Sequence, residues 1–362
     1  MPLEELTELL QPLPRFRAAQ IFKWIARGAC GFGEMDNLPL ALRNELTGRF
    51  FLRPAVTEEK FPGDDGTIKL ALQFENGARI EAVLLSGGLR SNSPPTYTAC
   101  LSTQVGCPAG CVFCKTGALG FLRDLNSAEI VEQFLLLRKA AQETIDQAIS
   151  AGHCQSFRQA ENPPARSVSN IVVMGMGEPL LNLAELRRAL DVITSAAGMN
   201  LSRRRITVST CGIAGGIVDL ADNGPAVRLA LSLTTADEGL RRRLMPLTKG
   251  QNLSNVRDAC GYFQKRTGGR ITLEVVLLGG INTSGKDAAG IAEFAKNLDA
   301  VINLIPWNPV PGLEFEGFPL RSPGAKETTQ CKADLEKFGL KVTLRMGKGG
   351  SISGACGQLG KV

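Results

Sequence analysis

The chain has 362 residues, of which 44% are hydrophobic and 21% charged, with a mean hydropathy of +0.02. This composition excludes a disordered or fibrous chain and suits one large α/β domain with an appendage. The net charge of +6 and the pI near 8.8 favour a polyanionic partner. With one histidine, His153, chemistry built on His bases or His-rich metal sites is nearly excluded. Acid, base and nucleophile roles fall to Cys, Glu, Asp and Lys. The opening MPLEELTELLQPLPRF is acidic and lacks the apolar stretch of a secretory signal. No apolar run approaches the roughly 18 residues of a membrane span. Ten cysteines in such a chain read as ligands or nucleophiles in a reducing cytoplasm rather than as staples.

In chain order, residues 1–54 read as a helical accessory domain. Ala18, Ile21, Phe22 and Ile25 share one helix face, with Gln20, Lys23 and Arg27 opposite and Trp24 at the flank. A second helix is expected from Leu38 to Phe51, with Pro39 early. The scattered Arg15, Arg17, Lys23 and Arg27 read first as a solvated face and second as a nucleic-acid contact. Residues 55–95 alternate as strands and end in a linker. Thr67–Phe74 and Arg79–Leu85 flank Asn76-Gly77, a hairpin turn. Glu81 lies on the second strand among apolar neighbours, where a carboxylate usually faces solvent, and GGLRSNSPP is the linker.

Residues 96–345 alternate strands and helices. Expected strands are 98–102, 170–174, 205–210, 226–233, 270–278 and 301–305. Expected helices are 127–149, 182–197, 214–222, 252–266 and 285–297, followed by a last helix over 326–338 and a strand over 341–344. Such β–α repetition predicts a parallel sheet, open or curled into a partial barrel. The polar stretch 150–168, which contains His153, breaks the rhythm. Residues 346–362 form a glycine-rich tail, GKGGSISGACGQLG, with Cys356 among small residues.

Chemistry concentrates after the first of these strands. Cys107, Cys111 and Cys114 stand in a C-x3-C-x2-C spacing on a Gly/Pro loop. Three thiolates so close select a soft metal centre. A structural zinc site would want a fourth nearby ligand, and none follows. An iron–sulfur cube takes four ligands, so three cysteines leave one iron open. Other unusual residues sit at the same strand edge: Gly177-Glu178-Pro179, Ser209, Ser232 to Thr234, and Trp307-Asn308-Pro309. Cys100 lies on the strand feeding the cysteine loop. Cys30, Cys154, Cys211, Cys260 and Cys331 read as structural. GINTSGK, residues 280–286, fits most of a phosphate-binding loop but is followed by Asp287 where Ser or Thr belongs, which argues against nucleotide hydrolysis.

CLSTQVGCPAGCVFCKTGALGFLRDL, MGMGEPLLN, LIPWNPVPG and the terminal ACGQL, with FRAAQIFKWI near the start, together resemble the RlmN/Cfr family of radical S-adenosylmethionine (SAM) RNA adenine methyltransferases. The resemblance implies an α/β partial (β/α)6 barrel with a small helical N-terminal domain and a mobile C-terminal cysteine loop. It makes Cys107, Cys111 and Cys114 ligands of a 4Fe-4S cluster whose open iron chelates SAM. It makes Gly177, Glu178, Ser209, Ser232, Leu233, Thr234 and Asn308 contacts of SAM. Cys356 would be methylated by one SAM, and a radical from a second would activate that methyl group for addition to an adenine carbon. Cys100 would then release the product by forming a disulfide with Cys356, and Glu81 matches the proposed proton acceptor. The implied substrates are adenine C2 of 23S rRNA and of tRNA, with an external one-electron donor, a monomer and no membrane. The sister C8 activity, which confers antibiotic resistance, shares the same blocks. An iron–sulfur carrier or redox sensor is the alternative outside methyl transfer, but it gives Cys356, Glu178 and Asn308 no task. RNA binding would rest on the basic balance and on Arg203 to Arg205 and Arg241 to Arg243, although each triplet reads more commonly as a solvated helix or loop face. The sequence departs from the family at Thr234, where His is usual, at Cys211, where Ser is usual, and in the long 150–168 stretch.

Overall fold

The computed structural model describes residues 1–87, 96–150 and 168–360, without the side chains of residues 56 and 57. Most of the expected linker, and the polar stretch with His153, therefore lie outside the described residues. Three helices open the chain: α1 (Leu3–Leu9), α2 (Arg15–Arg27) and α3 (Leu40–Arg49), each entered directly after a proline. The expected α2 face is buried through Ala18, Ile21 and Phe22, with Ala26 continuing it and Ile25 half-buried. Then come β1 (Ala55–Pro62), β2 (Ile68–Phe74), β3 (Arg79–Ser86) and β4 (Tyr97–Cys100). The cysteine loop lies between β5 (Gln104–Gly106) and α4 (Lys115–Ala118), with β6 (Phe121–Asp124) returning beside β5. Alternation follows: α5 (Ser127–Ser150), β7 (Val168–Val173), α6 (Leu183–Thr194), β8 (Ile206–Thr210), α7 (Ala214–Asn223), β9 (Arg228–Ser232) and α8 (Glu238–Leu244). The chain ends with α9 (Leu253–Thr267), β10 (Ile271–Leu277), α10 (Gly285–Ala295), β11 (Ala300–Pro306), the small hairpin β12 (Glu314–Phe315) and β13 (Phe318–Pro319), α11 (Ala325–Lys337) and β14 (Lys341–Leu344).

One sheet carries the molecule, in the order β1-β2-β3-β4-β7-β8-β9-β10-β11-β14. From β4 to β14 every neighbouring pair is parallel. Six of these strands, β4 and β7 to β11, form the expected partial barrel, and β14 extends it at one edge. On the other edge, β3 pairs antiparallel with β4 and continues into β2 and β1. The Asn76-Gly77 turn forms as expected: Gly77 takes φ +78° and Asn76 Oδ1 accepts from the Ala78 N–H. Most inward positions of the parallel strands are buried, with Val, Ile and Leu prominent in β7, β10 and β11. Their carboxyl ends therefore open on one rim.

The N-terminal helices dock on that frame through specific polar contacts. Arg53 holds the Glu132 carboxylate of α5 at 2.7 Å, and Arg138 of α5 donates to the Ala26 carbonyl at 3.0 Å. The partial match to a phosphate-binding loop, set aside above, is a capping box. Ser284 and Asp287 exchange hydrogen bonds across the first turn of α10, so the chain's own carboxylate occupies the donors a phosphate would need.

Candidate active site

The cysteine loop is set by backbone geometry. Gly106 has φ +75°, and a Cβ there would lie 1.9 Å from the Gly120 carbonyl oxygen, so only glycine permits the β5–β6 pairing. The Cys107 N–H donates to that same carbonyl at 2.8 Å, and the Cys114 N–H donates to Cys111 at 3.1 Å. Two further bonds lace the loop to the α8 region: Val112 N–H to Leu244 and Leu247 N–H to Ala109.

Cys107, Cys111 and Cys114 line one cavity of about 180 Å3 at the carboxyl ends of the strands. Burial pushes the Cys107 thiol up to about 12 and raises Cys111 and Cys114 as well; for Cys111 the charges of Cys114 and Cys107 add to the rise. Three mutually repelling buried thiolates need a multivalent cation at their centre. A structural zinc cage takes four protein ligands, and the loop supplies three cysteines. The donor set fits an iron–sulfur cluster with three protein ligands.

Cys100 and Cys356 line the same cavity. Burial raises Cys100 to about 11 and Cys356 to about 12, and the charge of Arg345 pulls both back down. Cys356 keeps exposed surface at the mouth even though its sulfur is crowded by protein. Every cysteine among the described residues is a free thiol, Cys100 and Cys356 included. The tail carrying Cys356 is pinned along its length. Gly349 donates to Asp65 in the β1–β2 turn, Lys348 donates to the Ser86 carbonyl, and Lys115 donates from its backbone to Gly357. Thr116 donates to the Leu359 carbonyl at 2.7 Å, and Gln358 to Pro309 at 2.9 Å. The segment thus runs from the β14 edge of the sheet to the β1–β3 edge.

Of the other expected residues, Gly177, Glu178, Ser209, Ser232, Thr234 and Asn308 line the cavity. The Glu178 carboxylate accepts from the N–H groups of Cys211 at 2.7 Å and Leu180 at 3.1 Å. It is buried with no cation in ion-pair contact among the described residues, and burial raises its pKa against those hydrogen bonds. Ser209 and Ser232 share a hydrogen bond of 3.2 Å. Leu233, by contrast, is wholly buried and does not face the cavity; its N–H is held by the Glu274 carbonyl. Thr234 is forced to φ +59°, and its buried hydroxyl has no protein partner.

Glu81 does not line the cavity. It is 2% exposed, pairs with buried Lys69 at 2.8 Å, and accepts from the Gly360 N–H at 2.6 Å. Three further cavity residues lie outside the expected site. Glu274 is a second buried carboxylate, held by Asn303 at 2.6 Å. Arg345 is a cation beyond β14, and Met174 ends the β7 segment. A carboxylate inside an apolar strand, Glu274 in ITLEVVL, was the one available clue. Of the two basic triplets, Arg203 to Arg205 form a surface turn, but Arg241 is buried and its neighbours Arg242 and Arg243 pair with Glu238 and Glu316.

Comparison with known proteins agrees with this geometry. Residues 2–52 match the family described as ribosomal RNA large subunit methyltransferase N-terminal domain. A Treponema denticola protein named probable dual-specificity RNA methyltransferase RlmN is 45% identical, over 99% of this chain and 93% of its own length. A protein from an Anaeromyxobacter species, named dual-specificity RNA methyltransferase RlmN, is 36% identical over 99% of this chain and 89% of its own. The crystal structure of a radical SAM methyltransferase from Sphaerobacter thermophilus superimposes with a TM-score of 0.86 at 36% identity, covering 99% of this chain and 97% of that one. The chain belongs to the RlmN family of radical SAM methyltransferases. The family assignment accounts for the partial barrel, the three-cysteine loop and the pinned cysteine tail as parts of one enzyme. No described helix is long and apolar enough to cross a membrane.

Proposed function

We propose that this enzyme methylates carbon 2 of an adenine in 23S rRNA and in tRNA, in the cytoplasm, through a methyl-cysteine intermediate on Cys356. The observation that carries the reading is that Cys100, Cys107, Cys111, Cys114 and Cys356 line one cavity. An electron carrier has no use for the last thiol, on a tail tied down at its far end. Cys107, Cys111 and Cys114 would hold the 4Fe-4S cluster, and Glu178, Gly177, Ser209, Ser232, Thr234 and Asn308 would hold SAM. When bound, this pair supplies one-electron chemistry, which adenine carbon 2 requires because it has no acidic proton for polar methyl transfer.

The chain's own residues do the rest. Glu178 presents a buried carboxylate for an ammonium group, and the Thr234 hydroxyl offers an unused hydrogen-bond group. Cys356 carries the methyl carbon, because a thioether sulfur on a pinned tail fixes that carbon in one place. The Cys100 thiolate would attack the Cys356 sulfur to form a disulfide, while the departing carbon keeps the bonding pair and takes up a proton to become the methyl group on adenine. Arg345 beside both thiols favours their ionised forms. Glu81 is committed to Lys69 and Gly360, so we assign it first to anchoring the tail; its role as proton acceptor rests on the family likeness. Residues 1–54 would act as the helical accessory domain, 55–95 as a hairpin and linker, 96–345 as the barrel and 346–362 as the catalytic tail. The enzyme would work as a monomer with an external one-electron donor.

The test is anaerobic reconstitution with iron and sulfide, then mass spectrometry of 23S rRNA and tRNA after incubation with SAM and a reductant. Adenine methylated at C2 is expected; methylation at C8 would overturn the assigned position. Cys356→Ala should abolish methylation, and Cys100→Ala should trap a covalent RNA–protein adduct. Free methylated RNA from either variant would remove that thiol from the scheme.

A further inference from the structure

Arg241 is 2% exposed and among the largest fully buried side chains of the protein. Its guanidinium donates to the carbonyls of Ser232, Leu233 and Cys211 and touches the Met245 sulfur at 3.4 Å. Among the described residues it makes no ion pair, unlike Arg242 and Arg243 one and two residues on, which pair with carboxylates at the surface. A buried cation without a counter-charge is strongly unfavourable, and three carbonyl dipoles offset only part of that cost.

The cysteine loop lies close to it. Helix α8, which carries Arg241, is laced to the cysteine loop by the bonds from Val112 to Leu244 and from Leu247 to Ala109. Pro246 packs on Gly110, 3.7 Å from where a Cβ would stand. Met245, which Arg241 touches, lines the cavity together with Cys107 and Cys111. Arg241 is therefore tied to the cysteine loop through α8 and, through Met245 and Cys211, to the wall of the cavity.

We propose that Arg241 is a positioning residue of the cluster site, whose fixed buried charge both clasps the ends of β8 and β9 and favours the one-electron-reduced, more negative cluster. The inference rests on the reading that Cys107, Cys111 and Cys114 hold that cluster. Reduction adds one negative charge to a centre in a low-dielectric surrounding, so a cation held nearby makes the added electron easier to accept. The same fork fixes the Ser232 and Leu233 carbonyls, and with them the strand end that presents Ser232 and Thr234. Arginine suits both tasks, since its planar fork reaches several acceptors and cannot lose its proton.

The experiment separates charge from clasp and reads no activity. Wild type, Arg241→Lys and Arg241→Gln, as full chains, are reconstituted anaerobically and assayed for iron and sulfide. Each is then titrated potentiometrically, followed by electron paramagnetic resonance, without SAM or RNA. Arg241→Lys keeps the charge and loses the fork; Arg241→Gln keeps donors and loses the charge. The expected result is a reduction equilibrium about tenfold less favourable in Arg241→Gln, which is about 59 mV for one electron, with Arg241→Lys close to wild type. Failure of Arg241→Gln alone to take up a cluster supports the same conclusion. Equal potentials in all three proteins, or equal loss of cluster in both variants, would overturn the charge role. A wild-type protein that takes up no cluster would instead remove the reading on which the inference stands.

Discussion

Asn308, just past β11, donates from Nδ2 to the carbonyl oxygen of Cys356 at 3.0 Å. The contact joins the rim of the barrel to the residue proposed to carry the methyl group. It is one neutral hydrogen bond, worth about 1 kcal/mol, so Asn308→Ala should leave the fold intact while loosening the tail. The expected outcome is alkylation of Cys356 in the cluster-free protein that is faster by roughly fivefold, with Cys100 unchanged. Peptide mass spectrometry of the alkylated chain measures both. An unchanged rate would mean that Gln358, Lys115 and Thr116 hold the tail without Asn308.

The Lys69–Glu81 pair carries a second prediction. Both side chains are almost wholly buried, and the Gly360 N–H uses the second carboxylate oxygen. Lys69→Met strands a buried carboxylate, a change that costs roughly 3–5 kcal/mol. The denaturation midpoint should fall sharply, and limited proteolysis should reach the tail sooner. Adding Glu81→Gln should restore much of the loss, because the amide still accepts from Gly360 without a charge. A double variant no better than Lys69→Met would show that the pair does not anchor the tail.

Glu178 sets a pH dependence. Burial holds its carboxyl above the ordinary value of 4.5. A group raised in the folded state contributes stability that is fully present below 4.5 and is lost as the pH rises through the folded value. An ammonium group placed against it reverses the shift, so SAM binding near the folded value should release protons. Calorimetry in two buffers of different ionisation heat reads that release directly. Glu178→Gln should abolish it and weaken SAM binding by about 1.5–3 kcal/mol, roughly ten- to a hundredfold. Unaltered affinity in Glu178→Gln would take the ammonium away from this residue.

Much of this was legible in the chain. Regular β–α alternation located all six barrel strands, because covered parallel strands are rich in Val, Ile and Leu, as in ITLEVVL. The cysteine spacing and the GMGEP turn marked the rim for the same reason: a loop that must place thiols or backbone close to a ligand needs small residues. Short elements escaped. Helix α8 has seven residues and three consecutive arginines, a pattern that reads as a basic surface although Arg241 is the most deeply buried of them. Glu81 was placed on the second hairpin strand, but its partner Lys69 and the distant Gly360 N–H are set by tertiary packing alone. The unpaired Thr234 hydroxyl follows from a positive φ that threonine rarely adopts, and no local pattern announces it.

Gly177 gives the most severe prediction. Its φ of +109° lies where side chains are rarely tolerated, and a Cβ there would stand 2.7 Å from the Gln104 Cβ and 2.8 Å from the Thr103 hydroxyl. The neighbouring Met176 carbonyl accepts from the Thr103 and Gln104 N–H groups, and Gln104 in turn accepts from the Glu178 N–H. Relief of the clash must therefore move either the β5 strand, which leads into Cys107, or the turn that carries Glu178. Gly177→Ala should lose SAM affinity and cluster occupancy together, with a destabilisation of about 1–3 kcal/mol from backbone strain. Iron content and calorimetric SAM binding on the same preparation check both. An alanine variant with full iron content and normal SAM affinity would show that β5 and the 175–178 turn are not coupled through this contact.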